Sequence, residues 1–161
     1  MSASMIFDHV PLGSIVSWSD GTPRPPERHN KKLASWKTRN SQGRLISKAV
    51  ATVLTSSTIP AAFTLHECDY GRDGIVVIRV QRTFGVDSAL TFKVVEAPAV
   101  GSVRNFDRPG DRAELVHLAP DQASAEAWLS VHGYPNAVLC PVTNEEGTAT
   151  IGEAMIAAKA A

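Results

Sequence analysis

Hydrophobic positions change their spacing along this chain, and the spacing predicts its elements. Residues 14–18, "SIVSW", are β-branched and aromatic and read as a strand. Residues 61–96 give the clearest pattern. "AAFTLHEC", "IVVIRVQRTF" and "ALTFKVVE" carry regularly spaced apolar positions and are separated by the turn sequences "DYGRDG" and "GVDS". Three strands of an antiparallel meander are expected there. Successive strand side chains point to opposite faces. Val76, Ile78 and Val80 are therefore expected on one core face, with Phe63, Leu65, Leu90, Phe92 and Val94 joining the core. Arg79, Gln81, Thr91 and Lys93 belong to the wetter face. Further strands are expected at 102–106, at 113–118 and in "NAVLCPVT". A short alternation of Leu33 and Ser35 against Trp36 predicts a strand over 32–38, and "RNSQGR" then reads as a turn.

Elsewhere the period is helical. Leu45, Ile46, Ala49, Val50, Val53 and Leu54 recur at i, i+1, i+4 and i+5, which predicts a helix over 44–55 against the β preference of its branched residues. A second helix is expected over 121–132. Asp121 can cap it, Ala125, Trp128, Leu129 and His132 form a stripe, and Gly133 stands at its end. The alanine-rich tail at 150–161 forms a third short helix over 152–160 or frays. The fold class expected is α+β, with residues 1–161 as a single domain. It has a mainly antiparallel sheet of about six to eight strands and two or three short helices packed on it.

Composition adds a context. Hydrophobic residues make up 43% and charged residues 20%, the mixture of a globular chain rather than a disordered one. The longest apolar runs are far below the roughly 20 residues that cross a bilayer, so no membrane partner is expected. "MSASMIFDHVPLG" has no basic segment followed by a long apolar stretch, so it does not read as a secretion signal. A cytoplasmic location is expected, with Cys68 and Cys140 reduced and buried.

Charge changes the picture most. The chain is formally neutral, with sixteen basic and sixteen acidic residues. Residues 22–48 nevertheless hold eight of the basic residues and only one acid, Glu27, a net of +7 that the rest of the chain balances with −7. Such asymmetry points to an anionic partner. The stretch "SDGTPRPPE", which overlaps the start of this segment, has three prolines in four positions, so 19–31 is expected as a stiff, extended, basic loop.

Cations displace counterions from a nucleic-acid backbone, and an aromatic ring among them stacks on bases. The candidate nucleic-acid-binding residues are Arg24, Arg28, Lys31, Lys32, Lys37, Arg39 and Arg44 for phosphates and Trp36 for stacking. The competing reading is a solvated loop paired with the chain's own acids, with Trp36 in the core. No helix-turn-helix, RNP-type or zinc-finger pattern accompanies the basic stretch. "HECD" at 66–69 lacks metal-ligand spacing, and neither a nucleophile elbow nor a phosphate-loop fingerprint exists. No catalytic residue, metal or cofactor is expected. The leading expectation is a non-enzymatic domain that contacts nucleic acid through 22–48. A protein–protein or self-assembly module, with a homo-oligomer as one outcome, is the alternative. A small enzyme is third, and it requires a pocket that gathers His66, His117 or Cys68 with an acidic neighbour.

Overall fold

The computed structural model describes residues 1–73 and 75–143. The chain runs α1 (Ala3–His9), β1 (Ile15–Ser19), α2 (Asn30–Arg39), β2 (Ser41–Ala49), β3 (Thr52–Val53), β4 (Thr58–Ile59) and β5 (Ala62–Arg72). It continues through β6 (Ile75–Gly85), β7 (Thr91–Glu96), β8 (Val103–Phe106), β9 (Leu115–Ala119), α3 (Gln122–Val131) and β10 (Val138–Pro141). The result is α+β, with every strand pairing antiparallel. One sheet has five strands in the order β6-β5-β2-β1-β7, a second has three in the order β10-β8-β9, and β3 and β4 form a small ribbon.

The main core lies on one face of the five-stranded sheet. Val16 and Trp18, Leu45, Phe63, Leu65 and Phe92 point into it, and α1 covers it with Ala3, Ile6 and Val10. Ala3 and Ile6 stand at i and i+3 on one side of the helix, and Val10 follows at its C-cap. Ser2 caps α1 by accepting from the Met5 amide, and the terminal ammonium of Met1 donates to the Phe92 carbonyl at 2.9 Å. Phe84 on one edge strand meets Phe92 on the opposite edge strand with ring centroids 5.2 Å apart and nearly perpendicular planes. The sheet therefore curls until its two edges share one aromatic cluster, which Phe63 and Trp18 complete.

Several expectations are corrected. The helix expected over 44–55 is strand β2, followed by β3. β2 is central and covered on both faces. Leu45 enters the main core, while Ile46 is buried on the side of β9 at a register shift between Leu45 and Ser47. Adjacent buried positions therefore imitate a helical stripe. The strand expected over 32–38 is helix α2, with Leu33 and Trp36 half-buried three residues apart. The three strands of 61–96 exist, but only β5 and β6 form a hairpin. β7 crosses to the far edge and pairs with β1. Val76 and Ile78 are exposed rather than in the core, because the distal half of the β5–β6 hairpin extends beyond the packed part of the sheet. Cys68 and Cys140 are free and half-buried. The helix at 121–132 is found as α3, capped by Asp121. The tail at 150–161, with its helix over 152–160, lies outside the described residues.

Candidate nucleic-acid interface and a neighbouring cleft

The segment from Ser19 to Asn40 is almost entirely surface. It carries Arg24, Arg28, Lys31, Lys32, Lys37 and Arg39 against Asp20 and Glu27, a net of +4. No residue of α2 is buried. An isolated ten-residue helix is marginal in water, so α2 must be held from outside.

Two polar anchors hold it. Asn40, at the C-terminal end of α2, accepts from Ser19 Oγ at 2.6 Å and from the Asp20 amide at 3.3 Å. Its own Nδ2 donates to Asp20 Oδ1 and to the Trp36 carbonyl, each at 3.0 Å. Asp20 Oδ1 also accepts from the Thr22 amide and hydroxyl. The Thr22 hydroxyl and amide, then Asn40, with Arg39 adding a smaller pull, hold the Asp20 carboxyl down at about 2. The second anchor is indole chemistry. Trp36 Nε1 donates to the Thr22 carbonyl at 2.8 Å, and the buried Trp18 Nε1 donates to the Thr38 carbonyl at 3.3 Å. The loop is thus drawn against the helix at one end of β1.

The cations meet little compensation there. Lys31, Lys32 and Lys37 are exposed, and no described residue pairs with their ammonium groups. Arg24 reaches Glu27 at 3.1 Å, but their side chains are 57% and 84% exposed, so water and salt screen the pair. Arg39 stands 3.9 Å from Asp20 with its side chain 71% exposed. Arg28 donates to the neighbouring His29 and pairs with no acid among the described residues. Lys32 and Arg39 stand at i−4 and i+3 from Trp36, so cation, aromatic and cation share one side of α2. Trp36 itself is half-buried, with its ring N–H engaged by the loop.

Arg44 does not join this group. It lies on β2, and its Nη1 donates to the Gly13 carbonyl at 2.6 Å. Lys48, the last cation of the basic segment, lies over the Phe7 ring at 5.9 Å, and burial lowers its pKa against the pull of Asp8.

Arg44 instead lines a cleft of about 250 Å³ between the five-stranded sheet and β9, together with His66, Asp69, Arg79, Glu114 and His117. His66 Nε2 contacts Asp69 Oδ1 at 2.8 Å, and Arg79 donates to both Asp69 oxygens at 3.0 and 3.3 Å. The Arg79 hydrogen bond, with help from His66, holds the Asp69 carboxyl below its ordinary range. Gln81 Nε2 donates to Glu114 at 2.7 Å. His117 lies flat against Trp128, centroids 4.7 Å apart, and His132 covers the same indole at 3.9 Å. Burial, then His132 and Arg44, lower the His117 pKa and so favour its neutral form. Cys68 does not line this cleft. The pocket that the small-enzyme expectation requires, His66 and His117 with acidic neighbours, is therefore present with Asp69 and Glu114 but without Cys68, whereas nothing in the one-dimensional pattern brings Arg44 and Arg79 into it.

No curated protein and no solved structure matches the chain. A family model does match, over residues 1–146. With most of its length matched, the chain belongs to the family described as "Uncharacterised conserved protein UCP036055".

Proposed function

We propose that the protein is a binding module that engages nucleic acid through α2 and the loop before it. The observation that carries this reading is the set of exposed cations, Lys31, Lys32, Lys37 and Arg39, on a helix that buries nothing of its own. A helix of ten residues is about 15 Å long, roughly the rise of four stacked nucleotides. Arg24 and Arg28 extend the positive surface along the loop, and Trp36 stands between two of the cations. Arg44 drops out of the interface. Lys31 and Lys32 occupy the first turn of α2, where no acid offsets them and where positive charge opposes the helix dipole. A bound phosphate relieves that opposition. Fluorescence anisotropy with single- and double-stranded DNA and RNA, at 20 to 200 mM salt, tests the proposal. Micromolar binding that weakens steeply with salt supports it. No binding at low salt, or binding without a salt slope, refutes it.

A second reading, self-assembly, is favoured by a different observation. The distal β5–β6 hairpin exposes Tyr70 (60%), Ile75 (69%), Val76 (50%), Val77 (73%) and Ile78 (58%). Clustered exposed apolar side chains mark interaction surfaces, and β6 is an edge strand whose outer backbone groups can template another strand. Antiparallel pairing of two β6 strands joins two sheets about a two-fold axis. Light scattering at tens of micromolar gives a dimer mass on this reading and a monomer mass for Val77→Lys. A monomeric parent protein refutes it.

A further inference from the structure

We infer that the cleft between β2, β5, β6 and β9 is a binding site for a small organic oxyanion, a molecule bearing a carboxylate or phosphate group, seated at Arg44 and His117. The argument is an inventory of donors and acceptors. Both carboxylates that line the cleft are engaged by the protein itself. Asp69 accepts from Arg79 twice and contacts His66, while Glu114 accepts one bond, from Gln81, and keeps acceptor capacity at its own end of the cleft. The cationic side is not engaged to the same extent. Arg44 donates through Nη1 to a neutral carbonyl, and its other N–H groups meet no acceptor among the described residues. Arg79 uses Nε and Nη2, which leaves Nη1. A guanidinium presents five donors in a planar fork matched to carboxylate and phosphate.

At the Arg44 corner the remaining guanidinium donors therefore meet no carboxylate among the described residues, and an anion is the species that completes them. Arg44 has no carboxylate partner among the described residues, and its positive charge adds to burial and His132 in lowering the His117 pKa. The imidazole there supplies an N–H donor to an oxyanion in either protonation state. Its orientation is fixed by stacking on Trp128. Ile46, Leu115 and Leu118 form apolar lining for the body of the ligand. The volume, about 250 Å³, suits a small molecule and is below the usual range for drug-sized ligands. The site shares only Arg44 with the basic segment and none of the α2 cations, so it stands or falls apart from nucleic-acid binding.

The test uses the full chain at pH 7.5 and constant ionic strength, with inorganic phosphate and acetate as probes and sodium chloride as the control. Histidine ring resonances are followed by NMR. The expected result is saturable movement of His117 and His66 by at least one of the two probes at millimolar concentration, with His9 and His29 unmoved. Saturation by phosphate alone or by acetate alone identifies the source of the oxyanion. Arg44→Gln is expected to weaken the response at least tenfold, while Lys31→Gln with Lys32→Gln leaves it unchanged. Arg44 also braces Gly13, so His117→Gln, read through the shift of His66, serves as the second variant and is expected to weaken binding. Non-saturating shifts for both probes, equal movement of all five histidines, or full binding by folded Arg44→Gln overturns the inference.

Discussion

Replacing Asn40 by alanine removes one of the two anchors that secure α2, leaving the indole bonds of Trp36 and Trp18. The loss is four hydrogen bonds, two accepted by Oδ1 and two donated by Nδ2. A protein hydrogen bond contributes about 0.5–1.5 kcal/mol net. One of the four is long, at 3.3 Å, and the residue is only half-buried, so about 2–4 kcal/mol is the reasonable sum. The helix has no buried residue to compensate, and its ten residues do not sustain a helix alone. The consequence is local. With 1.4 kcal/mol per factor of ten, the opening equilibrium of α2 rises by roughly 30-fold to several hundredfold. Hydrogen exchange with mass spectrometry reads this directly. Amides of 30–39 lose protection, while those of β1, β2 and β5 keep theirs and the global unfolding midpoint moves little. Unchanged protection in α2, or its loss together with the sheet, refutes the reasoning, because the indole anchor alone would then hold the helix, or α2 would not open apart from the sheet.

Two further outcomes follow from the same structure. Phe92 is buried against Phe63 and Phe84, which join the sheet's two curled edges. Phe92→Ala is expected to destabilise the protein by about 3–5 kcal/mol in urea unfolding, and a loss below 1 kcal/mol contradicts the curled core. Asp20 is depressed from 3.8 to about 2, so its contribution to the clamp is present above pH 3.8 and is lost as pH falls toward 2. The indole N–H resonance of Trp36 is expected to shift and broaden in that window, and loss already above pH 5 rules the mechanism out.

Legibility in the sequence followed how much each element depends on its own residues. α3 was readable because Asp121 caps it and its apolar stripe is local. The strands of 61–96 were readable from alternation and turn residues, but the destination of β7 was not. The Phe84–Phe92 contact depends on the curl of the whole sheet. Residues 44–49 imitate a helix because β2 is buried from two sides, and Leu45 and Ile46 then look like one helical face. α2 was misread because it buries nothing, which removes the periodic signal that betrays most helices. The hairpin tip failed differently. Ile75 to Ile78 have the composition of a core strand, and only their position beyond the packed sheet leaves them exposed. The basic surface was legible as composition, and the displacement of Arg44 into the cleft was not, since it follows from the register of β2 against β1 and β5.

The central claim is that the α2 cations are available to a polyanion. It is tested most directly by comparing salt slopes for the parent protein and a variant with Lys31, Lys32 and Lys37 changed to Gln and Arg39 changed to Gln. Each phosphate contact on a single strand contributes roughly 0.7 to the slope of log K against log salt. Six contacts from the loop and helix predict a slope of about −4 for the parent, and loss of four predicts a slope shallower by about 3. Identical slopes in the two proteins, with both folded, contradict the account.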